Sequence, residues 1–419
     1  MNNRNRLTVY IIVGLVLGVV AGYIANISLA DPKSFAEYMS LITTLFLRLI
    51  KMIIAPLVFS TLVVGIAKMG DAAEVGRVGI KALGWFVIAS IISLSLGLVL
   101  VNLFRPGDGM AAFLDPTATI DLAKSSLTLK EFITHLVPSS IVDGMAKNEI
   151  LQIVVFSIFF GTAAAAVGPR AHPMIEAIDG VAHVMLKVTG YVMNFAPVAV
   201  FAAVTAIIAK SGVKVLSTYG VFMGEFYFAI VLLWVVLTIA GFVFLGPRVF
   251  ALLKELREPT LLAFSTASSE AAFPKTLEGL ERFGVTNRIA AFVLPVGYSF
   301  NLDGSMMYCT FATIFIAQAY GIEMSLGTQI TMMLVLMLTS KGMAGVPRAS
   351  LVVIAATLDQ FAIPAAGMVL LLGIDHFLDM ARSATNVIGN GIATAVVAKW
   401  EGELSDPTLQ KEPALAPLA

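Results

Sequence analysis

The sequence predicts an all-α polytopic membrane protein, and three observations predict it. Of 419 residues, 58% are hydrophobic and only 13% are charged, against a charged share of roughly 25% in soluble domains. Eight apolar runs are long enough to cross a hydrocarbon core, which takes about 20 helical residues. The polar and ionisable residues of the last run fall on one helical face, the pattern of a segment lining a path for something polar. Twenty-seven basic and 27 acidic residues leave no net charge, so nothing points to nucleic acid as a partner. A single cysteine, Cys309, excludes an intrachain disulfide and a cysteine zinc cluster, and His135, His172, His183 and His376 show no metal-ligand spacing.

In chain order, the predicted spans are 8–30, 40–67, 82–104, 150–168, 181–209, 219–246, 289–320 and 366–400. Arg4 and Arg6 precede the first, but no small-residue cleavage site ends it, so it reads as a retained helix rather than a signal peptide. Arg48 and Lys51 inside the second are expected to snorkel or to pair at a boundary. If the spans alternate, Arg4, Arg6, Lys68, Arg77, Lys81, Arg170, Arg248, Lys254, Arg257, Arg282, Arg288 and Lys399 share one side. That side, with both termini, is the predicted cytoplasmic one. Lys33, Lys124, Lys130, Lys210 and Lys214 lie opposite, which makes the bias moderate.

Two segments depart from the span pattern. Residues 261–274 read LLAFSTASSEAAFP and residues 337–347 read MLTSKGMAGVP, apolar stretches interrupted by Ser, Thr, Gly and Pro. Re-entrant helical hairpins suit them, because broken backbone at membrane depth survives only against protein or a water-filled cavity. Their tips would favour anions, since helix N-termini present unpaired N–H groups. The two sit at related places and enter from opposite sides, as inverted repeats around a midplane binding site do; two ordinary polar loops are the plainer alternative. Between them, Gly297 to Ser305 forms a polar break inside the seventh run. Gly304 permits local unwinding, and carbonyls beside Asn301 and Asp303 make an all-oxygen site suited to Na⁺ or a proton. A bare kink would not account for an acid at that depth.

The last run carries Asp375, Asp379, Arg382, Ser383, Asn386 and Asn390 at relative spacings of 0, 4, 7, 8, 11 and 15. At roughly 100° per residue these six share an arc of about 100°. A packing seam would need only Asp379 and Arg382, neutralising each other three residues apart, and leaves the second acid, the hydroxyl and the two amides unexplained. No GxxxxGK[ST] loop or HExxH motif occurs, and Ser268 and Ser269 have no partner histidine in a recognisable motif, which argues against an ATP-driven pump and against an intramembrane enzyme. A carrier and a passive channel could share the stripe, and counterflow of labelled substrate separates them.

The serine-rich segment ending in Pro274, NLDGS at 301–305, GVP at 345–347 and DMARSATNVIGN at 379–390 occur in an order that resembles the glutamate transporter family, the dicarboxylate/amino acid:cation symporters. The resemblance spans about residues 8 to 402. It implies a homotrimer of elevator-type transporters, not an enzyme, with eight spans and two hairpins. Scaffold helices would occupy 1–70 and 109–212, and a mobile transport domain 71–108 and 213–403, with 404–419 a disordered cytoplasmic tail. It further implies that Arg382 binds the substrate's side-chain carboxylate, a role that suits a planar, permanent cation. Asp379 would take the ammonium, Asn386 with Ser268 and Ser269 the α-carboxylate, and Gly345 the extracellular lid, while Ser383 and Ser305 complete the pocket.

An acid at Asp379 favours aspartate or glutamate, because relatives that take C4-dicarboxylates tend to carry serine there; a C4-dicarboxylate remains the alternative. Sodium-coupled relatives have aspartate at the Asn390 position, and tyrosine and threonine at those of Phe86 and Ala89. The chain is closer to the proton-coupled bacterial glutamate/aspartate symporters, which implies a bacterial inner membrane, a proton as coupling ion and no cofactor. A proton driver needs a buried acid whose neutral form is reachable near pH 7, and Asp303, Glu270 and Asp375 are the candidates. A sodium site at Asn301, Asp303 and Asn390 is the weaker alternative. Cys309 stands where relatives often have Gln or Glu and reads as a small packing residue.

Overall fold

The computed structural model describes residues 3–69, 72–108, 110, 137–212, 219–340, 349–372 and 374–405. Every regular element among them is helical: three 3₁₀ helices, Gly168–Ala171, Glu270–Ala272 and Ala365–Met368, and sixteen α-helices. In order these are α1 (Asn3–Ser28), α2 (Pro32–Met69), α3 (Ala72–Phe104), α4 (Ile141–Ala146), α5 (Ile150–Val167), α6 (His172–Met193), α7 (Ala196–Ser211), α8 (Gly220–Leu245), α9 (Arg248–Thr266), α10 (Phe273–Phe283), α11 (Asn287–Phe300), α12 (Asp303–Ala319), α13 (Leu326–Thr339), α14 (Ala349–Gln360), α15 (Val369–Leu372) and α16 (Asp375–Glu401). The one β-type contact among the described residues is an antiparallel bridge between Val285 and Leu404.

Among the described residues four stretches are long and apolar enough to cross a membrane, within Val9–Ser28, Val75–Phe104, Gln152–Val192 and Gly220–Leu245. The other expected spans are shortened or divided, each for a local reason. Run 40–67 lies inside α2, but Arg48 and Lys51 confine its apolar part to Met52–Ala67. Run 181–209 divides at Asn194 and Phe195, where i→i+3 bonds to Tyr191 and Val192 tighten the chain and Pro197, without an N–H, opens α7. Run 289–320 divides between α11 and α12, and the last helix begins only at Asp375.

Close packing follows the small residues. Gly14, Gly18 and Gly22 place one bare stripe of α1 against α7, where a Cβ would meet Pro197 O at 2.6 Å, Phe201 O at 2.8 Å and Ile208 Cβ at 2.7 Å. Small residues at this spacing let helices approach in an apolar medium. The far side of α1 exposes Tyr10, Val16, Leu17 and Ile24. α2 packs on α5, α6 and α7, while α16 packs on α8, α9, α11 and α12.

The first hairpin extends beyond its sequence signal: α9 and α10 are its arms and 267–272 its tip. α13 and α14 flank the second segment; residues 341–348, with Gly345, lie outside the described residues. Leu404 and Ser405, expected in a disordered tail, are held in backbone hydrogen bonds and the bridge; residues 406–419 lie outside the described residues.

Candidate functional site

The polar stripe of α16 is buried, and the broken α11–α12 segment faces it. Asp375, Arg382 and Asn390 are each 1% exposed, and Ser383 and Asn386 are buried; Asp379 keeps 30% of its side chain accessible. The stripe stays inside because Gly304, at the start of α12, comes so near that a Cβ there would sit 2.8 Å from Arg382 Cα.

At its N-terminal end the site is charged. Arg382 Nη2 lies 3.0 Å from Asp375 Oδ1 and 2.9 Å from Asp379 Oδ1. Its guanidinium stacks 3.9 Å from the centroid of the Tyr308 ring, and the Tyr308 hydroxyl donates to Asp375 Oδ1 at 3.2 Å. Nε and Nη1 of Arg382 are buried with no hydrogen-bond partner among the described residues. A desolvated guanidinium with two N–H groups to spare can receive a carboxylate in bidentate fashion.

One turn further along, Asn386 Oδ1 accepts from Gly304 N at 3.0 Å and its Nδ2 donates to Ser305 Oγ at 3.3 Å. The stripe ends in a cluster of amides around one acid. Asn301 Nδ2 donates to Asp303 Oδ2 at 3.1 Å and to Asn390 Oδ1 at 3.3 Å, and Ser93 Oγ of α3 donates to Asp303 Oδ1 at 3.2 Å. A Cβ at Gly389 would collide with Asp303 Oδ2. Phe86 and Ala89 are buried on α3, and Phe86 Cζ is 3.4 Å from the Cβ position of Gly297. No group of three or more His, Cys, Asp or Glu side chains suited to a metal ion occurs among the described residues.

The first hairpin's tip turns through Ala267, left-handed at φ 49°. Ser268 Oγ accepts from Ala271 N at 3.3 Å, a local bond that shapes the turn Glu270–Ala272 before Pro274 starts α10. Ser268, Ser269 and Glu270 are half-buried, and Ser268 is not hydrogen-bonded to Arg382 or Asn386 among the described residues. The structure thus brings Asp375, Asp379 and Arg382 together, Asn386 to Ser305, and Asn301, Asp303 and Asn390 together. Sequence reasoning missed Tyr308 and Ser93. A serine in an apolar span was the available signal for Ser93; Tyr308 offered none, since its partners come from another helix.

Residues 7–400 match the model of the sodium:dicarboxylate symporter family. The chain is 40% identical over 407 residues to the proton/sodium-glutamate symport protein of Geobacillus stearothermophilus, covering 94% of each. It is 40% identical over 412 residues to a C4-dicarboxylate transport protein of Laribacter hongkongensis (strain HLHK9), covering 96% of this chain and 91% of that protein. It is also 40% identical over 409 residues to the proton/glutamate-aspartate symporter of Escherichia coli (strain K12), covering 93% of this chain and 92% of that protein.

Proposed function

The chain belongs to the sodium:dicarboxylate symporter family, and we propose that it imports aspartate or glutamate together with protons. It is a membrane transporter for acidic amino acids or dicarboxylates and not an enzyme; the finer reading rests on the charged end of the site. The observation that carries it is Arg382 held between Asp375 and Asp379, with Nε and Nη1 free of partners.

With both acids ionised the triad carries one negative charge, +1 from Arg382 and −2 from Asp375 and Asp379. A dicarboxylate dianion would take it to −3 and bring nothing for Asp379. An acidic amino acid takes it to −2 and brings an ammonium to the one accessible carboxylate. Its side-chain carboxylate then takes the two spare N–H groups of Arg382, and Asn386 with the tip serines Ser268 and Ser269 receives the α-carboxylate. Ser383 and Ser305 border the pocket, and Gly345 belongs to the lid. Each amino acid still adds one negative charge in a site of low dielectric, where uncompensated charge is costly. A co-transported proton cancels it.

Asp303 suits that proton. Neutral donors, Ser93 and Asn301, address both its oxygens, and the neighbouring Asn390 supplies an amide where a sodium site gains from a second carboxylate. Glu270 and Asp375 are the other proton candidates. Three such chains assemble in a bacterial inner membrane with both termini cytoplasmic, and helices from 71–108 and 213–403 carry the site across a scaffold from 1–70 and 109–212.

Uptake into proteoliposomes of labelled aspartate, glutamate and succinate, under Na⁺ and H⁺ gradients imposed separately, tests this. Aspartate or glutamate accumulation driven by an inward-acid gradient without sodium is expected. Succinate accumulation in its place would establish the dicarboxylate reading that some relatives suggest, and a strict sodium requirement would remove the proton.

A further inference from the structure

The end of α16 does not lead into free chain. Gly402 closes the helix in a left-handed conformation (φ 75°), and Glu403 N donates to Ala398 O at 2.8 Å, a Schellman-type end. The next residues run antiparallel to the turn between α10 and α11. Thr286 N donates to Glu403 O at 3.2 Å and Ser405 N to Gly284 O at 2.9 Å, with Val285 and Leu404 as the bridged pair between them. Gly284, at φ 109°, is shaped for this partner, since a Cβ there would stand 2.5 Å from Ser405 O.

Side chains fasten the same strip. Arg288 pairs with Glu403, Arg248 Nη2 donates to Ser405 O at 2.7 Å, and Arg77 and Lys81 of α3 reach Glu401 at 2.9 and 2.7 Å. The hydrogen bond from Arg288 holds the Glu403 carboxyl below the usual carboxylate range. Burial alone would push Glu401 up, but Arg77 and Lys81 outweigh it and hold that group low as well. Both acids are therefore ionised, and both clamps closed, at neutral pH.

Five residues thus join the starts of α3 and α9 to the turn about which α10, the second arm of the first hairpin, would swing. Two pairs cross between the arms, Arg282 lying 2.9 Å from Glu255 and Lys275 3.9 Å from the buried Glu258, while Glu278 of α10 sits 3.5 Å from Arg282 and 2.9 Å from Lys275 on the same arm. Ladder and strip together leave the hairpin neither arm to arm nor base to α16 freedom. The strip is thus tied to the base of the hairpin whose tip carries Ser268 and Ser269.

We propose that Glu401–Ser405 is a latch that keeps the first hairpin docked on α16 throughout transport, so that substrate beside Arg382 does not escape past the hairpin's tip. This rests on the transport reading above.

The test uses the full-length protein carrying Val285→Cys and Leu404→Cys. Antiparallel pairs have Cα atoms about 4.5–5.5 Å apart, within disulfide reach, and the native Cys309 is wholly buried. When the pair is oxidised, aspartate counterflow is expected to stay within about twofold of the reduced protein, since a latch that never opens loses nothing by being locked. Adding Arg248→Ala and Arg288→Ala is expected to speed maleimide labelling of the two introduced thiols at least about tenfold, because two charge-assisted contacts are gone. It should also raise the gradient-independent leak of preloaded aspartate, and oxidation should restore the seal. A cross-linked protein that no longer exchanges, labelling that does not quicken, or a leak that oxidation leaves unchanged would each overturn the latch. If wild-type protein gives no aspartate counterflow, it is the substrate assignment that fails, and the labelling rates, which need no substrate, still decide the latch.

Discussion

The two ends of the α16 stripe bury charge in opposite ways. At one end, Arg382 sits within 3.0 Å of two carboxylates and stacks on an aromatic ring. At the other end, near Asn390 eight residues further along, Asp303 of α12 accepts from a hydroxyl and an amide, with Asn301 linking it to Asn390. Ion pairs meet the cost of burial at the first end and neutral dipoles at the second. In the transport reading proposed above, the difference divides the labour. Paired charges can exchange partners, so an incoming carboxylate and ammonium can replace contacts that Arg382 and Asp379 already make. Asp303 accepts from a hydroxyl and an amide, neutral groups that leave its charge for a cation, the smallest being a proton, to cancel.

The strongest blow to that contrast is Arg382→Ala, which leaves Asp375 and Asp379 facing each other with no cation between them. Removing one partner of a desolvated charge pair costs about 2–5 kcal/mol, or roughly 30- to 5,000-fold in affinity. Equilibrium binding of aspartate to the purified protein should fall by that much while circular dichroism stays helical; near-normal affinity would mean that the charged end is not where the substrate carboxylate lands. Asp379→Ser is next in size and should separate substrates rather than abolish them. Aspartate affinity falls by roughly 10- to 100-fold for the lost ammonium contact, a charged hydrogen bond of about 1.5–3 kcal/mol, while succinate affinity holds or rises. Equal losses for both would assign Asp379 to folding or to the cation.

How legible this contrast was in the sequence depended on whether one helix contained it. The α16 stripe could be read because Asp375 to Asn390 obey one period, and the polar break at Asn301–Ser305 because Gly, Asn and Asp interrupt an apolar run. The first hairpin announced itself through Ser, Thr and Pro, but its arms did not: α9 starts at Arg248, well before the apolar signal, because its outer turns are charged and its partner is α10. Tyr308 on Arg382, Ser93 on Asp303 and the 403–405 strip on Gly284 are contacts between segments far apart in the chain. No local pattern encodes them, and the polar, Pro-containing end of the chain even pointed the other way for Leu404 and Ser405. Division of the run 181–209 had a visible cause in Pro197, whose effect an average over apolar residues concealed.

Substitutions at the amide end should change the driving force before they change the substrate. Asp303→Asn keeps the shape and removes the charge that a proton would cancel, so the dependence of aspartate uptake on an imposed pH difference should flatten. The available drive is about 1.4 kcal/mol per pH unit for each coupled proton, so uptake should lose up to roughly tenfold accumulation per unit. Asn390→Asp is the converse: two carboxylates beside Asn301 would call for a harder, fixed cation, and sodium should begin to stimulate uptake. Pronounced pH dependence surviving in Asp303→Asn would move the proton to Glu270 or Asp375, and the neutral end would then be structural.

The smallest effect is expected at Tyr308, where the charged end depends on a group without charge. The guanidinium carbon of Arg382 lies over its ring and its hydroxyl donates to Asp375, so it holds both members of the pair that an incoming carboxylate must compete with. Tyr308→Phe keeps the ring and loses the hydrogen bond. Asp375 Oδ1 then depends on Arg382 alone and binds it more firmly, making the guanidinium less available to substrate. A net cost of about 0.5–1.5 kcal/mol, roughly 2- to 10-fold in aspartate affinity, is expected in a binding titration. Tyr308→Leu also removes the cation–π contact, about 2 kcal/mol when desolvated, and should weaken binding further. If the two variants bind equally, the ring contributes only bulk, and the charged end is held by its carboxylates alone.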